Sequence, residues 1–158
     1  MGSLLANDAV VLPKGLHHAG MSVRNLDRSL AFYCGLLGMV VELEGSFAGG
    51  SMDRITRLTR TRGRAVLLSV GDQHLELFEF AAPQPQEKDP FYPVCDYGIS
   101  HFCLEVSNVQ HAYEKLTTAG VIFHCPPQAF GNMKATYARD PDGNVIEFLE
   151  LPNGSDQD

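Results

Sequence analysis

The stretch Gly98-Ile99-Ser100-His101-Phe102-Cys103-Leu104-Glu105-Val106 decides how the rest of the chain is read. It alternates as a strand should, with His101, Cys103 and Glu105 on one face and Phe102 and Leu104 on the core side. Asn108 follows as a helix cap, and Val109, Ala112, Tyr113 and Leu116 form an apolar stripe that ends at Gly120. A weaker copy stands earlier, at Gly15-Leu16-His17-His18-Ala19-Gly20-Met21-Ser22-Val23. There Asn25 or Asp27 can cap, Leu26, Leu30, Tyr33 and Leu37 make the stripe, and Gly38 supplies a left-handed stop. Val23-Arg24-Asn25 matches Val106-Ser107-Asn108 at a separation of 83 positions, and the same step carries His18 onto His101. His17 falls opposite Ser100 and is expected to face the helix.

The repeat continues. Met39–Glu44 reads as a second strand, and Ala65–Val70 with His74–Phe80 as a hairpin turning at Gly71-Asp72. In the second half Val121–His124 is a strand and Pro126–Asn132 a loop. Ala135–Arg139 and Asn144–Leu151 form a hairpin about Asp140-Pro141-Asp142-Gly143. Leu75-Glu76-Leu77-Phe78-Glu79-Phe80 matches Ile146-Glu147-Phe148-Leu149-Glu150-Leu151 at a separation of 71, the shortfall reflecting a longer segment at 45–64 in the first copy. The expected fold is therefore α+β, built of two βαβββ modules at 14–80 and 97–151. They are joined by a semi-extended linker at 81–96 that holds Pro83, Pro85, Pro90 and Pro93. Val10, Val11 and Leu12 can add an edge strand, and the tail from Pro152 is expected to be disordered.

Each module then has a sheet with one face on its helix and the other free. On the free face it places a histidine from the first strand and a glutamate from the last. Two such sheets related by a pseudo-twofold axis would gather His18, Glu76, His101 and Glu147. Two imidazoles and two carboxylates suit a divalent ion such as Ni, Co, Zn, Mn or Fe, and no thiolate is placed to join them. The chemistry that fits such an ion is proton abstraction next to a carbonyl, with Glu147 or Glu76 as the base. Each residue alone reads as a partnered or surface side chain; it is the four equivalent placements that point to metal. Cys103 reads as lining rather than nucleophile, and His74 as rim.

Composition bounds the alternatives. A chain of 158 residues with 44% hydrophobic content is one domain or two small halves sharing a core. Its net charge of −7 argues against a nucleic-acid or anionic-membrane surface. No apolar run approaches the roughly 20 residues of a membrane helix, and MGSLLANDAVVLP lacks the pattern of a signal peptide. With four scattered cysteines and no CxxC, free thiols and a cytoplasmic setting are expected. Residues 45–64 carry Arg54, Arg57, Arg60, Arg62 and Arg64 beside Met52, Ile55 and Leu58. The plain reading is a solvated helix face; the sharper one is a lid whose arginines grip an anionic substrate group.

These motifs resemble the vicinal oxygen chelate (VOC) superfamily of glyoxalase I, bleomycin-resistance proteins and extradiol dioxygenases. The likeness rests on Leu16-His17-His18 with Val23, Phe32-Tyr33, Leu37-Gly38, Gly98-Ile99-Ser100-His101 and the run Asp140 to Glu147. It implies an open barrel around a central metal site, a small-molecule substrate, and modules paired within a chain or swapped between chains in a homodimer. Bacterial-type glyoxalase I uses His, Glu, His, Glu, which fall on His18, Glu76, His101 and Glu147; methylmalonyl-CoA epimerase has a closely similar set. Extradiol dioxygenases use only the equivalents of His18, His101 and Glu147, and bleomycin-resistance binders lack the set. Glyoxalase I usually continues from its first glutamate into threonine and asparagine, whereas this chain runs Glu76-Leu77-Phe78-Glu79-Phe80. The resemblance therefore implies a metal-dependent lyase or isomerase of the glyoxalase/epimerase type. An Fe(II) ring-cleaving dioxygenase and a non-catalytic binder are the alternatives.

Overall fold

The computed structural model describes residues 13–152, so the suggested edge strand at Val10–Leu12 lies outside the described residues. The first module runs β1 (Ala19–Ser22), α1 (Leu26–Leu30), β2 (Val40–Ala48), α2 (Gly50–Thr56), β3 (Arg62–Val70) and β4 (Gln73–Ala82). The second runs β5 (Phe102–Glu105), α3 (Val109–Thr118), β6 (Ile122–Phe123), β7 (Gln128–Phe130), β8 (Met133–Arg139) and β9 (Val145–Glu150). Each forms a mixed sheet: β1-β4-β3-β2 in the first, and β5-β9-β8-β6 in the second, with β7 also on β8.

The first strand of each module is shorter than its alternating pattern. β1 runs parallel to β4 with Ala19 opposite Leu75, so residue 17 would face Gln73, where β4 begins after its turn. His18 and His101 each stand immediately before the strand. The helix caps are as the repeat requires: Asn25 accepts from the Arg28 amide and Asn108 from the His111 amide, each at 2.8 Å. Past Leu30 the first helix widens into a π-turn over Ala31–Leu36, with the Leu37 amide bonded to Phe32 O. The widening lets the adjacent Phe32 and Tyr33 both bury. Gly38 closes it at φ 72°.

The expected loop at 126–132 contains β7. The long β2 of the first module corresponds to a strand split by Pro126-Pro127, whose rings carry no N–H for a ladder. Both fragments, β6 and β7, pair with β8.

Leu26, Tyr33, Leu75 and Leu77 share one continuous core with Val109, Leu116, Ile146 and Phe148. Both sheets thus turn their helix side toward one shared core, and their free faces point away from it. Linker and turn clamp the arrangement. Arg139 donates to Pro90 O, Tyr92 O and Gly143 O, and a Cβ on Gly143 would lie 2.3 Å from Pro90 O. The linker is therefore packed onto the second module rather than free.

Candidate metal and substrate site

His18 Nε2 lies 3.2 Å from Glu76 Oε2, and His101 Nε2 lies 3.1 Å from Glu147 Oε2. Gly20 faces Glu76 across β1–β4, and Cys103 faces Glu147 across β5–β9, so both pairs sit on the free face of their own sheet. The side chains are partly exposed, from 20% for Glu147 to 38% for His18. Within one chain, however, the four do not meet. Among the described residues no three His, Cys, Asp or Glu side chains come together as a metal-holding group. The sequence left open whether the modules pair within a chain or between chains; within this chain the four residues stand as two dyads, because both sheets turn their helix side to the shared core.

Each dyad has the bite of half a metal site. Two donors at right angles on an ion with bonds of about 2.1 Å stand about 3.0 Å apart. The backing is also duplicated. His18 Nδ1 lies 2.8 Å from His17 Nδ1, and His101 Nδ1 lies 2.9 Å from Ser100 Oγ. A partner at Nδ1 fixes the ring and leaves Nε2 toward the carboxylate, the usual support of a ligating imidazole. His17 therefore does not face the helix as expected: its ring stacks on His74 at 5.3 Å, and His74 Nε2 lies 3.2 Å from Glu42.

Beside each glutamate lies a trough. In the first module it holds about 230 Å³ between Leu43, Phe47, Ala65, Leu67 and Glu76. In the second it holds about 250 Å³ between His124, Gln128, Phe130, Ala135, Tyr137 and Glu147. Leu67 faces Glu76 and Tyr137 faces Glu147 in register, so the troughs are equivalent. A larger cavity of about 420 Å³, between Arg24, Phe80 and the linker at 84–88, is lined by neither dyad. Its walls carry the Glu87 and Asp142 carboxylates but no imidazole, whereas each dyad pairs an imidazole with a carboxylate.

The surroundings favour neutral groups. Partial desolvation, then the charge of Glu147, pushes the Cys103 thiol up to about 11, which keeps it protonated and a poor nucleophile. The same two causes, with Cys103 added, raise the Tyr137 phenol, leaving it a hydrogen-bond donor whose ring is 4.8 Å from His101. Desolvation, then Arg139, lowers the His124 pKa. Tyr137 was missed in the sequence, although counting outward from the 140–143 turn sets it opposite Glu147.

The family model for the Glyoxalase/Bleomycin resistance protein/Dioxygenase superfamily matches residues 15–148, both dyads included. The chain belongs to this superfamily. It is similar to 2-epi-5-epi-valiolone epimerase of Actinomyces sp, at 29% identity over 150 residues, covering 89% of this chain and 81% of that protein. Lactoylglutathione lyase of Neisseria meningitidis serogroup B is 28% identical over 147 residues, covering 89% and 94%. The crystal structure of a glyoxalase family protein from Bacillus cereus superposes with a TM-score of 0.83 at 20% identity, over 92% of this chain and 99% of that one. That last likeness concerns the superfamily fold alone. Among the described residues no helix is long and apolar enough to cross a membrane.

Proposed function

We propose that the protein is a divalent-metal-dependent lyase or isomerase that moves a proton at the carbon next to a substrate carbonyl. The observation that carries this reading is the duplicated dyad: the same His–Glu bite, the same Nδ1 support and the same adjoining trough in both modules. His18 and Glu76 of one dyad, with His101 and Glu147 of the other, would hold the ion. Because one chain separates the dyads, the complete site is assigned to a homodimer in which the first module of one copy faces the second module of its partner. Exposed Leu43 and Phe130 beside the troughs suit that covering.

When bound, the ion supplies electrophilic stabilisation of the negative charge that develops on substrate oxygen. Glu147, partly buried between Cys103 and Tyr137, takes the proton from the carbon on one of its carboxylate oxygens and returns it to the neighbouring atom or the opposite face. Glu76 is placed to do the same from the other side. The Tyr137 hydroxyl donates to substrate oxygen, and the apolar trough walls limit access of water to the exchanging proton. Glu76 stands to His18 as Glu147 stands to His101, which favours a four-residue set over the three-residue set of a ring-cleaving oxygenase.

The test is metal analysis of purified protein followed by proton/deuterium exchange with carbonyl and acyl thioester substrates. Stoichiometric metal and exchange that falls by about 10²-fold or more in Glu147→Gln, with metal retained, are expected. Full exchange in that variant would remove Glu147 as the base. Oxygen uptake with a catechol by the iron-loaded protein would point to ring cleavage instead.

A further inference from the structure

We propose that the tip between β2 and β3 seats an anionic, phosphate-like tail of the substrate whose carbonyl end lies at His18 and Glu76. The inference rests on the functional reading above and names the kind of substrate.

Charge is segregated at this tip. The chain carries a net −7, with twelve Lys and Arg in all. Yet Arg54, Arg57, Arg60 and Arg62 lie within nine positions, all exposed, and among the described residues none forms an ion pair. Arg64, two positions on, is by contrast engaged by Asp27 and Glu44 at 3.0 and 2.9 Å. The one carboxylate within the tip, Asp53, is already occupied. Its Oδ1 accepts from the amide and hydroxyl of Thr61, and its Oδ2 accepts from the Arg60 amide. Those bonds close the segment and hold Arg57 and Arg60 in left-handed backbone at φ 56°. Arg54 donates to Ser51 Oγ at 3.1 Å, and among the described residues the guanidinium groups of Arg57, Arg60 and Arg62 have no protein partner, so the tip is a built structure with free forks.

A track leads to it from the dyad. Glu76, Phe78 and Phe80 alternate along the free face of β4, and Arg62 pairs with Ala82 at the strand's end. Phe47 stands edge-on to both rings, at 6.0 and 5.2 Å. Across from them Ala65 and Gly63 keep the surface low, and a Cβ on Gly63 would meet Glu79 O at 2.2 Å. Ala82 lies six residue steps along the strand from Glu76, about 20 Å. A ligand filling this track has a carbonyl head, an apolar or flat body over the three phenylalanines, and a multiply charged tail that guanidinium forks grip in pairs. A three-carbon carbonyl compound would occupy the head alone.

The experiment uses the full chain and inorganic pyrophosphate, with a variant carrying Arg54→Gln, Arg57→Asn, Arg60→Asn and Arg62→Gln; asparagine tolerates the left-handed positions. Calorimetric titration at low ionic strength should show binding by the wild type and loss of about tenfold or more in affinity by the variant. In parallel, the preference for a phosphate-bearing over a matched phosphate-free acyl thioester, read as proton exchange, should fall by about tenfold. Pyrophosphate binding that is absent, or equal in the variant, overturns the proposal, and so does an unchanged preference. If no substrate exchanges its proton while pyrophosphate binding still depends on the four arginines, the functional reading falls and the anion seat stands. If exchange proceeds normally and that dependence is missing, the seat falls and the functional reading stands.

Discussion

The Tyr33 hydroxyl donates a 2.8 Å hydrogen bond to Asp140 Oδ2, tying the helix of the first module to the signature turn of the second. Both groups are buried, and the burial together with Asp140 holds the phenol far above its ordinary range, so it stays a donor. Asp140 also receives the amides of Asp142 and Asn144 and the Asn144 side chain. Tyr33→Phe removes one bond that crosses between modules and leaves those from Arg24 and Arg28 to Asp142 in place. It is expected to lower stability by about 1–2 kcal/mol, seen as a lower urea midpoint with an unchanged slope.

Gly143 marks the other side of the same clasp. At φ 88°, with Pro90 backbone atoms 2.3 to 2.7 Å from where a Cβ would stand, it has no room for a methyl group. Gly143→Ala should destabilise by more than about 2 kcal/mol, since strain and overpacking act together. A thermal melt equal to wild type would show that the linker does not press on the turn.

The division of the dyads between modules makes a complementation experiment decisive. His18→Ala and His101→Ala should each be inactive alone. Mixed, unfolded and refolded together, they form heterodimers with one intact site in two. About a quarter of wild-type activity per site should then return, because half of the dimers are mixed. No recovery would place the complete site within one chain.

The residues behind the dyads should tune metal affinity without touching metal. His17→Ala and Ser100→Ala are each expected to weaken binding by about tenfold or more, while Ser100→Thr, which keeps the hydroxyl, should retain it. Competition against a chromophoric chelator reads this directly. Equal affinities in all three variants would make the contacts incidental.

Acid should loosen the second module through Glu150. Its carboxylate accepts from the Val109 amide at 2.8 Å and from Lys134 at 3.1 Å. Those bonds, the amide first, hold its pKa below the ordinary 4.5. A folded pKa below the unfolded one means the stabilisation is complete above 4.5 and disappears as pH falls through the folded value. Glu150→Gln should therefore flatten the dependence of stability on pH below 4.5, as read from denaturation curves on the acid side of that value. The first module repeats the contact, with Glu79 accepting the Leu26 amide at 3.3 Å.

Much of this was written in the chain. Alternation and stripe spacing are local consequences of backbone geometry. They therefore determined both βαβββ modules, the Asn25 and Asn108 caps, and the separation that selects His18 over His17 as partner of His101. The facing of Glu76 and Glu147 away from the core followed from the same alternation. What the sequence left open was decided by packing between distant segments. Register in the parallel pairs shortened β1 and β5 to four residues each. Burial of adjacent Phe32 and Tyr33 widened the first helix, and Pro126-Pro127 divided one strand into two. Most consequentially, both modules bury the helix side of their sheets in one shared core, since those faces carry the apolar side chains that water excludes most strongly. That choice turns the two His–Glu pairs outward and apart. A repeat in sequence can say that two half-sites are equivalent; only the tertiary structure shows that one chain does not bring them together.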